Sequence, residues 1–511
     1  MITLLTLLPF VGGLFVLLVG RNRALARLVA MLFGVGALLI TCFFWWGFDP
    51  QFPGMQYEVL HPWVPSLGMA YHVGVDGLGI LMLALSALVV VISLAASWAN
   101  ENHDRLYFAL VLFLECGLFG TFTALNFVHW FIYWELSLIP AFFLVRLWGG
   151  PNRARASMLF FLYTMVGSIA LLLAFLAIFL ATGQFDFVQL AQLGQSGQLT
   201  TALAQNLHWS GNPQHLALLV FWGAFLGFAV KTPVVPFHTW LPRTYSEASS
   251  ETTMLLTGAM SKMGVYGFLR ILLPIFPHQM QQEMKPLLWM AVATIVLPAF
   301  AAWVQKDLKR TFAYSSINHL GYCVLAVCAV ASFTGTTAEA AIEKSAALTG
   351  VLLQIFSHGL TAAALFWFIA LLERRSGGLR GIDEFGGLRR VMPVFSGLMG
   401  IAIFASLGLP GLNGFPGEFL IFKGVFALAP WAASISVLGL LMTAVFLLTV
   451  IQKVFSGPVN PRWEAMPDLT TAERWVFLPI IGLMFVIGLY PQLITGMVHV
   501  TVAQWAAGVR F

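Results

Sequence analysis

Apolar runs of about 20 residues, the length a helix needs to cross about 30 Å of hydrocarbon, recur from one end of this chain to the other. No other feature narrows its possible folds so far. Fourteen such runs begin near residues 2, 28, 74, 106, 126, 156, 215, 252, 286, 311, 346, 392, 431 and 474. Lipid offers the backbone no hydrogen-bond partners, so each run must satisfy its own, as a helix does. Composition agrees: only 9% of the 511 residues are charged, against about 25% in a water-soluble domain. That excludes disorder, collagen, a coiled coil and a sizeable soluble catalytic domain. The expectation is an all-α membrane protein, residues 1–511 forming one polytopic domain of about fourteen transmembrane helices. The first run lacks the positive flank and small-residue cleavage site of a signal peptide, and is expected to stay as a helix.

The net charge of +5 needs explaining. Nucleic-acid binding would require a basic stripe interleaved with aromatics on a solvated surface, and the sequence contains none. The basic residues instead alternate between loops, as they do when Lys and Arg stay on the inner side. With the N-terminus outside, Arg21, Arg23, Arg27, Arg105, Arg146, Arg153, Arg155, Arg243, Lys306, Lys309, Arg310, Arg374, Arg375, Arg380, Arg389, Arg390, Lys453, Arg462 and Arg474 face inward. Lys285, Lys344 and Arg510 face outward, and the long outward loop, about residues 182–214, has no Lys or Arg. The charge is a topology signal; the expected location is a bacterial inner membrane, with the N-terminus outside.

Four basic residues remain inside the spans: Lys231, Lys262, Arg270 and Lys423. Glu115, Glu135 and Glu418 lie deep in apolar runs, Asp76 and Glu251 near span ends, and His129, His238, His319 and His358 in or beside spans. An ionisable group at the bilayer centre costs about 2.5–3.5 kcal/mol even on the lenient insertion scale, so it is normally paired, water-lined and functional. So many in one chain require a common explanation.

Two runs are interrupted where such groups sit. One reads Lys231-Thr232-Pro233-Val234-Val235-Pro236-Phe237-His238-Thr239-Trp240-Leu241-Pro242, the other Gly408-Leu409-Pro410-Gly411-Leu412-Asn413-Gly414-Phe415-Pro416-Gly417-Glu418. Proline removes a backbone donor, and lipid cannot compensate, so such breaks survive inside protein or along a watery cavity. Interrupted helices at matching places in two halves point to an ion pathway between inverted repeats. The repeats would run over about residues 106–275 and 286–456, five helices each, with the broken helix fourth in both. Titratable groups spread over several spans fit a proton relay better than one substrate pocket. Glu135 is the expected partner of Lys231, and at an effective dielectric of 20 a pair about 4 Å apart interacts by about 4 kcal/mol. Making and breaking that pair would act as a switch.

Plainer readings exist for several candidates. Glu418 can cap the helix restarting after Gly417, where the dipole favours an acid. Lys423 can snorkel to an interface, and His238, His129 and Asp76 can satisfy local hydrogen bonds. Cys42, Cys116, Cys323 and Cys328 match no zinc, haem or disulfide spacing.

The runs Trp134-Glu135-Leu136, 231–242, Ser261-Lys262-Met263-Gly264-Val265-Tyr266-Gly267, Tyr314-Ser315-Ser316-Ile317-Asn318-His319-Leu320-Gly321, Ser357-His358-Gly359-Leu360 and 408–418 resemble those of the antiporter-like subunits of respiratory complex I. Glutamate at position 418 resembles the M type, the counterpart of mitochondrial subunit 4, in contrast to its relatives with lysine there. One departure stands out: Arg243, Thr244 and Tyr245 follow Trp240-Leu241-Pro242, where the family commonly has an acid, a small residue and a histidine.

The resemblance implies a proton channel with Glu135, Lys231, Lys262, His319 and Glu418 at its centre. Glu115, His358, His238 and Lys423 complete the candidate set. It implies a translocating subunit of a quinone oxidoreductase fed by NAD(P)H or ferredoxin, with no redox cofactor on this chain. Quinone, flavin and iron–sulfur clusters would belong to partner subunits. The expected partners are neighbouring antiporter-like and small membrane subunits, the bilayer and, indirectly, the redox arm. Within the superfamily the alternative is a subunit of a multi-chain Na+/H+ antiporter or a membrane-bound hydrogenase. Outside it stand a solute transporter, which would need a selective polar pocket, and an inactive scaffold.

Overall fold

A computed structural model describes residues 1–18, 22–98, 100–333 and 337–507. Arg21 and Arg510, assigned above to opposite faces, lie outside the described residues. Among those described, eleven helices are long and apolar enough to cross a membrane, and two shorter apolar helices, Ile2–Leu18 and Pro393–Ser406, accompany them. The chain is a mostly helical membrane protein.

Its helices sort their residues as lipid demands. In Arg23–Gly47, the small residues Ala26, Ala30, Gly34, Ala37 and Thr41 recur on one buried face. Such residues let helix backbones approach where no hydrophobic force drives association. Leu28, Leu32, Leu39, Phe43 and Trp46 of the same helix are exposed. The centre is the opposite case. Helix Ala338–Ser376 runs 39 residues, about 58 Å at the helical rise, and its apolar stretch is buried. It packs against Leu308–Ser332 and Gly414–Leu428, so this helix forms the axis around which the core is built.

The expectation of helix alone needs a correction. Strands Gln56–Val64 and Met69–Val75 form an antiparallel hairpin. Tyr, Val and Trp suit a pleated surface, and Gly68, at φ +61°, makes the turn that reverses the chain. The third span was placed from about residue 74, but its helix, Gly77–Ser97, starts where Asp76 accepts a 3.0 Å hydrogen bond from the Gly79 N–H. The hairpin is anchored by His72, whose Nδ1 meets Asp186 and whose Nε2 lies 2.7 Å from Glu58. Burial alone would push this imidazole down, but the carboxylates of Asp186 and Glu58 outweigh it and hold it above the ordinary histidine value. Short helices Phe187–Gln195 and Gln198–Asn206 fill the long basic-free loop.

Ion pairs clamp the ends of the bundle. Arg270 pairs with Asp76, and Arg374 with Glu251; Lys309 lies 3.2 Å from Glu373, and Arg375 2.7 Å from Glu473. Removing one partner of a pair as buried as Arg270 and Asp76 costs about 3–5 kcal/mol. These charges, Arg270 included, hold helices together.

Candidate functional site

The first break begins where helix Pro213–Lys231 stops. Pro233 and Pro236 bring no N–H, so carbonyls of the last turn lose their helical partners. Side chains and a bent backbone take over. The Trp240 indole donates to the Val230 carbonyl at 3.0 Å, Val234 N–H reaches the Ala229 carbonyl at 2.8 Å, and Thr294 Oγ1 accepts from Val235 N–H at 2.9 Å. The chain turns helical again at Trp240–Glu247. A Cβ on Gly264 would come within 2.0 Å of Thr232 Oγ1, so a glycine there lets the neighbouring segment lie against the break.

Lys231 therefore sits at a helix C-terminus, where the dipole favours a cation. Its Nζ lies 4.6 Å from the Trp134 ring centroid and donates to Ser137 Oγ at 3.5 Å. Charge on an aromatic face, shielded from water, is worth about 2 kcal/mol or more. The expected contact with Glu135 is not made: among the described residues no ion pair joins them, and Glu135 Oε1 is closed off without a protein partner. Lys231 and Glu135 remain within electrostatic reach of each other. Trp134, Glu135 and Ser137 share one helix, Phe127–Trp148, and the lysine has settled on the ring and hydroxyl flanking the acid. Glu115, on Arg105–Thr123, is fully buried, and both its carboxyl oxygens lack a protein hydrogen-bond partner.

Lys262 lies in a segment that alternates α-turns with π-turns, at 256–260 and 268–272. Such wide turns are frequent at functional sites. The ammonium donates to the Thr257 carbonyl, lies 3.4 Å from Ser261 Oγ, and meets His358 Nδ1 at 2.8 Å. The His358 and His319 rings are 5.3 Å apart between centroids. His319 Nδ1 lies 3.1 Å from Glu418 Oε1, and its Nε2 lies 3.2 Å from Ser406 Oγ. Gln354 bridges the last pair, its Nε2 3.3 Å from His319 and 3.5 Å from Glu418.

The second break makes this convergence possible. Helix Pro393–Ser406 ends and Gly414–Leu428 begins, with Gly408 between them at φ +76°. A Cβ on Gly408 would fall 2.5 Å from Glu418 Oε2, so the carboxylate folds back against the break itself. Asn413 Nδ2 donates to the Ser357 carbonyl and to Thr361 Oγ1, both at 3.1 Å, and so ties the break to the helix carrying His358. Lys262, His358, His319 and Glu418 thus form a buried file running across four separate helices.

The remaining candidates lie apart. His238 is half-buried inside the first break. Lys423 is 43% exposed at its side chain and pairs with Glu343 at 2.8 and 2.9 Å, which is the snorkelling reading and puts it outside the file. The sequence reading missed Trp134, Ser137, Gln354, Ser406 and Asn413. Trp134 and Ser137 flank Glu135, and Gln354 precedes His358 by one helical turn, which was the available signal. Glu343 is 80 residues from Lys423, and no spacing rule joins them.

Residues 124–444 match the family described as NADH:quinone oxidoreductase/Mrp antiporter, TM. "NADH-quinone oxidoreductase subunit M" of Rhodobacter capsulatus is 32% identical over 513 residues, covering 99% of this chain and 96% of that one. "NAD(P)H-quinone oxidoreductase chain 4 1" of a Synechococcus strain is 34% identical over 523 residues, covering 99% and 93%. A chain of respiratory complex I from Thermus thermophilus superposes with a TM-score of 0.85 at 29% identity, covering all of both chains. A buried ionisable file beside two broken helices, on a fold and a sequence shared from end to end with these proteins, leaves one conclusion: the chain belongs to the NADH:quinone oxidoreductase/Mrp antiporter family of membrane subunits.

Proposed function

We propose that this chain is the M-type, proton-translocating antiporter-like subunit of a complex I type quinone oxidoreductase fed by NAD(P)H or ferredoxin. It would share in the enzyme's translocase activity without redox chemistry of its own. The file Lys262, His358, His319 and Glu418, with contacts of 2.8 Å at one end and 3.1 Å at the other, carries the proposal. An ammonium facing an imidazole nitrogen can hand over a proton, and a second imidazole beside a carboxylate can pass it on. Lys231 and Glu135 form the preceding site, coupled electrostatically, and making and breaking their contact is its switch.

The same reading has fourteen crossings. To the eleven long helices it adds Ile2–Leu18, the segmented run at 250–275, and the pair Pro393–Ser406 with Gly414–Leu428. Residues 106–275 and 286–456 are its inverted repeats, each broken in its fourth helix next to an ionisable group. The N-terminus faces outward from a bacterial inner membrane, and Glu418 discharges to the outer side. Quinone, flavin and iron–sulfur centres sit on partner subunits, and neighbouring antiporter-like and small membrane subunits flank this one.

The family's description also names Mrp antiporters, so a multi-chain Na+/H+ antiporter is the second reading. Purification of the assembled complex in mild detergent separates them. Co-purifying subunits with flavin and iron–sulfur centres, and electron-coupled proton uptake in reconstituted vesicles, are expected. Sodium-driven proton exchange by an assembly without redox centres would overturn the first reading in favour of the second.

A further inference from the structure

A polar cavity of about 560 Å³ opens at one end of the bundle, away from the buried file. Three exposed arginines, Arg155, Arg243 and Arg310, line it, together with Asn152, Glu247 and Tyr314. The nearby acids are already engaged. Glu247 Oε2 accepts from the Asn152 N–H at 2.8 Å, and Asp307 lies 2.5 Å from Arg380. Among the described residues, no acid pairs with the three guanidinium groups that face the cavity.

Two long helices also start at its rim. Arg153–Thr182 begins there behind Asn152, whose side chain makes no cap hydrogen bond; Leu308–Ser332 begins two residues before Arg310, with its own N-terminus capped by Asp307 at 3.0 Å. The N-terminus of Arg153–Thr182, without a side-chain cap, favours an anion through its dipole. Guanidinium groups add a fork matched to phosphate oxygens. The cavity is therefore built for an anion, and its surroundings say which. Three residues beyond Arg155, an exposed apolar strip begins at Met158 and continues through Leu162, Val166 and Ile169. On the other side, Leu297, Phe300 and Val304 are exposed just before the lining residue Gln305. A free phosphate has no use for such strips, whereas acyl chains do.

We propose that Arg155, Arg243 and Arg310 form a binding site for the phosphodiester headgroup of an anionic phospholipid, whose chains lie along the helices on either side. Basic pockets between spanning helices are suited to such headgroups, and each basic residue near the surface contributes about a fivefold gain in binding. This inference does not depend on which ion the chain transports.

The test uses the assembled complex in detergent, titrated with dioleoylphosphatidylglycerol and followed by native mass spectrometry. Arg243→Gln is expected to weaken binding about fivefold, and the triple variant Arg155→Gln/Arg243→Gln/Arg310→Gln roughly a hundredfold. Arg243→Lys should retain most of the affinity, and Arg389→Gln, an exposed arginine elsewhere, all of it. Dioleoylphosphatidylcholine should bind weakly, and millimolar inorganic phosphate should not displace the anionic lipid. Equal lipid binding by wild type and Arg243→Gln would overturn the proposal, whether or not the triple variant assembles. So would displacement by inorganic phosphate, which would reduce the cavity to an ion site. Loss of a partner subunit from Arg243→Gln with lipid binding intact would likewise overturn it and assign the arginines to an acidic protein surface.

Discussion

The two broken helices hold their ionisable groups in opposite ways. At the first, Lys231 lies on the Trp134 ring and near Ser137, while Glu135 and Glu115 have carboxyl oxygens that no protein group satisfies. At the second, His319 touches Glu418 directly and Gln354 bridges the pair. A charge deprived of water needs compensation, and these regions obtain it differently. The first uses a helix terminus, an aromatic face and the Ser137 hydroxyl, none of which can take up the ammonium's proton as a base. The second uses groups that can. Under the proposed function, the first region would change its partner and the second would pass a proton along contacts already made. Lys262, in hydrogen-bond contact with His358, joins the second.

The largest effect is expected where compensation is non-exchanging. Lys231→Ala should reduce proton uptake per electron pair by about two orders of magnitude, the scale on which a positioned proton-transfer group matters. Lys231→Arg should fail nearly as badly, because a guanidinium keeps its proton at any useful pH. Near-normal pumping by either variant, in a complex that assembles fully, would erase the contrast between the regions.

Glu418→Ala comes next, with a smaller loss than Lys231→Ala, since His319 keeps Ser406 and Gln354 as neighbours but loses its carboxylate partner. Wild-type uptake in vesicles would reduce Glu418 to a helix cap. Glu135→Gln should cost less than Lys231→Ala, and Glu135→Asp less again, because in this structure the acid acts across a gap rather than through a hydrogen bond. If Gln and wild type pump equally, Glu135 is not the partner that draws Lys231 away from the ring.

Gln354→Leu sharpens the comparison further. It leaves the 3.1 Å contact of His319 with Glu418 in place and removes only the bridging amide, so a loss of about threefold is expected, within the worth of one hydrogen bond. A larger loss would make the amide, rather than the ring, the route between the two groups. The smallest effect belongs to Lys423→Ala. An exposed pair with Glu343 is worth about 0–1 kcal/mol, and pumping should stay unchanged while thermal stability of the complex shifts little.

Much of this was legible in the residues. The apolar runs announced spanning helices, and the prolines at 233, 236 and 410 with the glycines at 408 and 411 announced the breaks, because backbone chemistry in lipid is unforgiving and local. The ionisable groups were legible for the same reason, since a charge inside an apolar run is conspicuous. What failed was pairing. Glu135 and Lys231 looked like partners, yet the lysine took the ring and hydroxyl beside the acid, a choice between neighbours a few ångströms apart. Lys423 looked like a possible member of the file until the helix carrying Glu343 was in place. The hairpin at 56–75 went unseen because its alternation is interrupted by Pro62 and Pro65 and lies between two apolar runs.

The division has a physical cause. Burial in lipid, helix formation and helix interruption are decided by residues within a few turns of one another, so the linear order of residues determines them. Which polar and ionisable groups meet depends on residues far apart in the chain: 96 positions separate Lys262 from His358, and 64 separate Gln354 from Glu418. Their contact is set by close packing of glycines such as Gly264 and Gly417, by the positive φ of Gly408, and by the rotation of each helix about its axis. Those are properties of the assembled bundle, and no pattern along the chain encodes them one residue at a time.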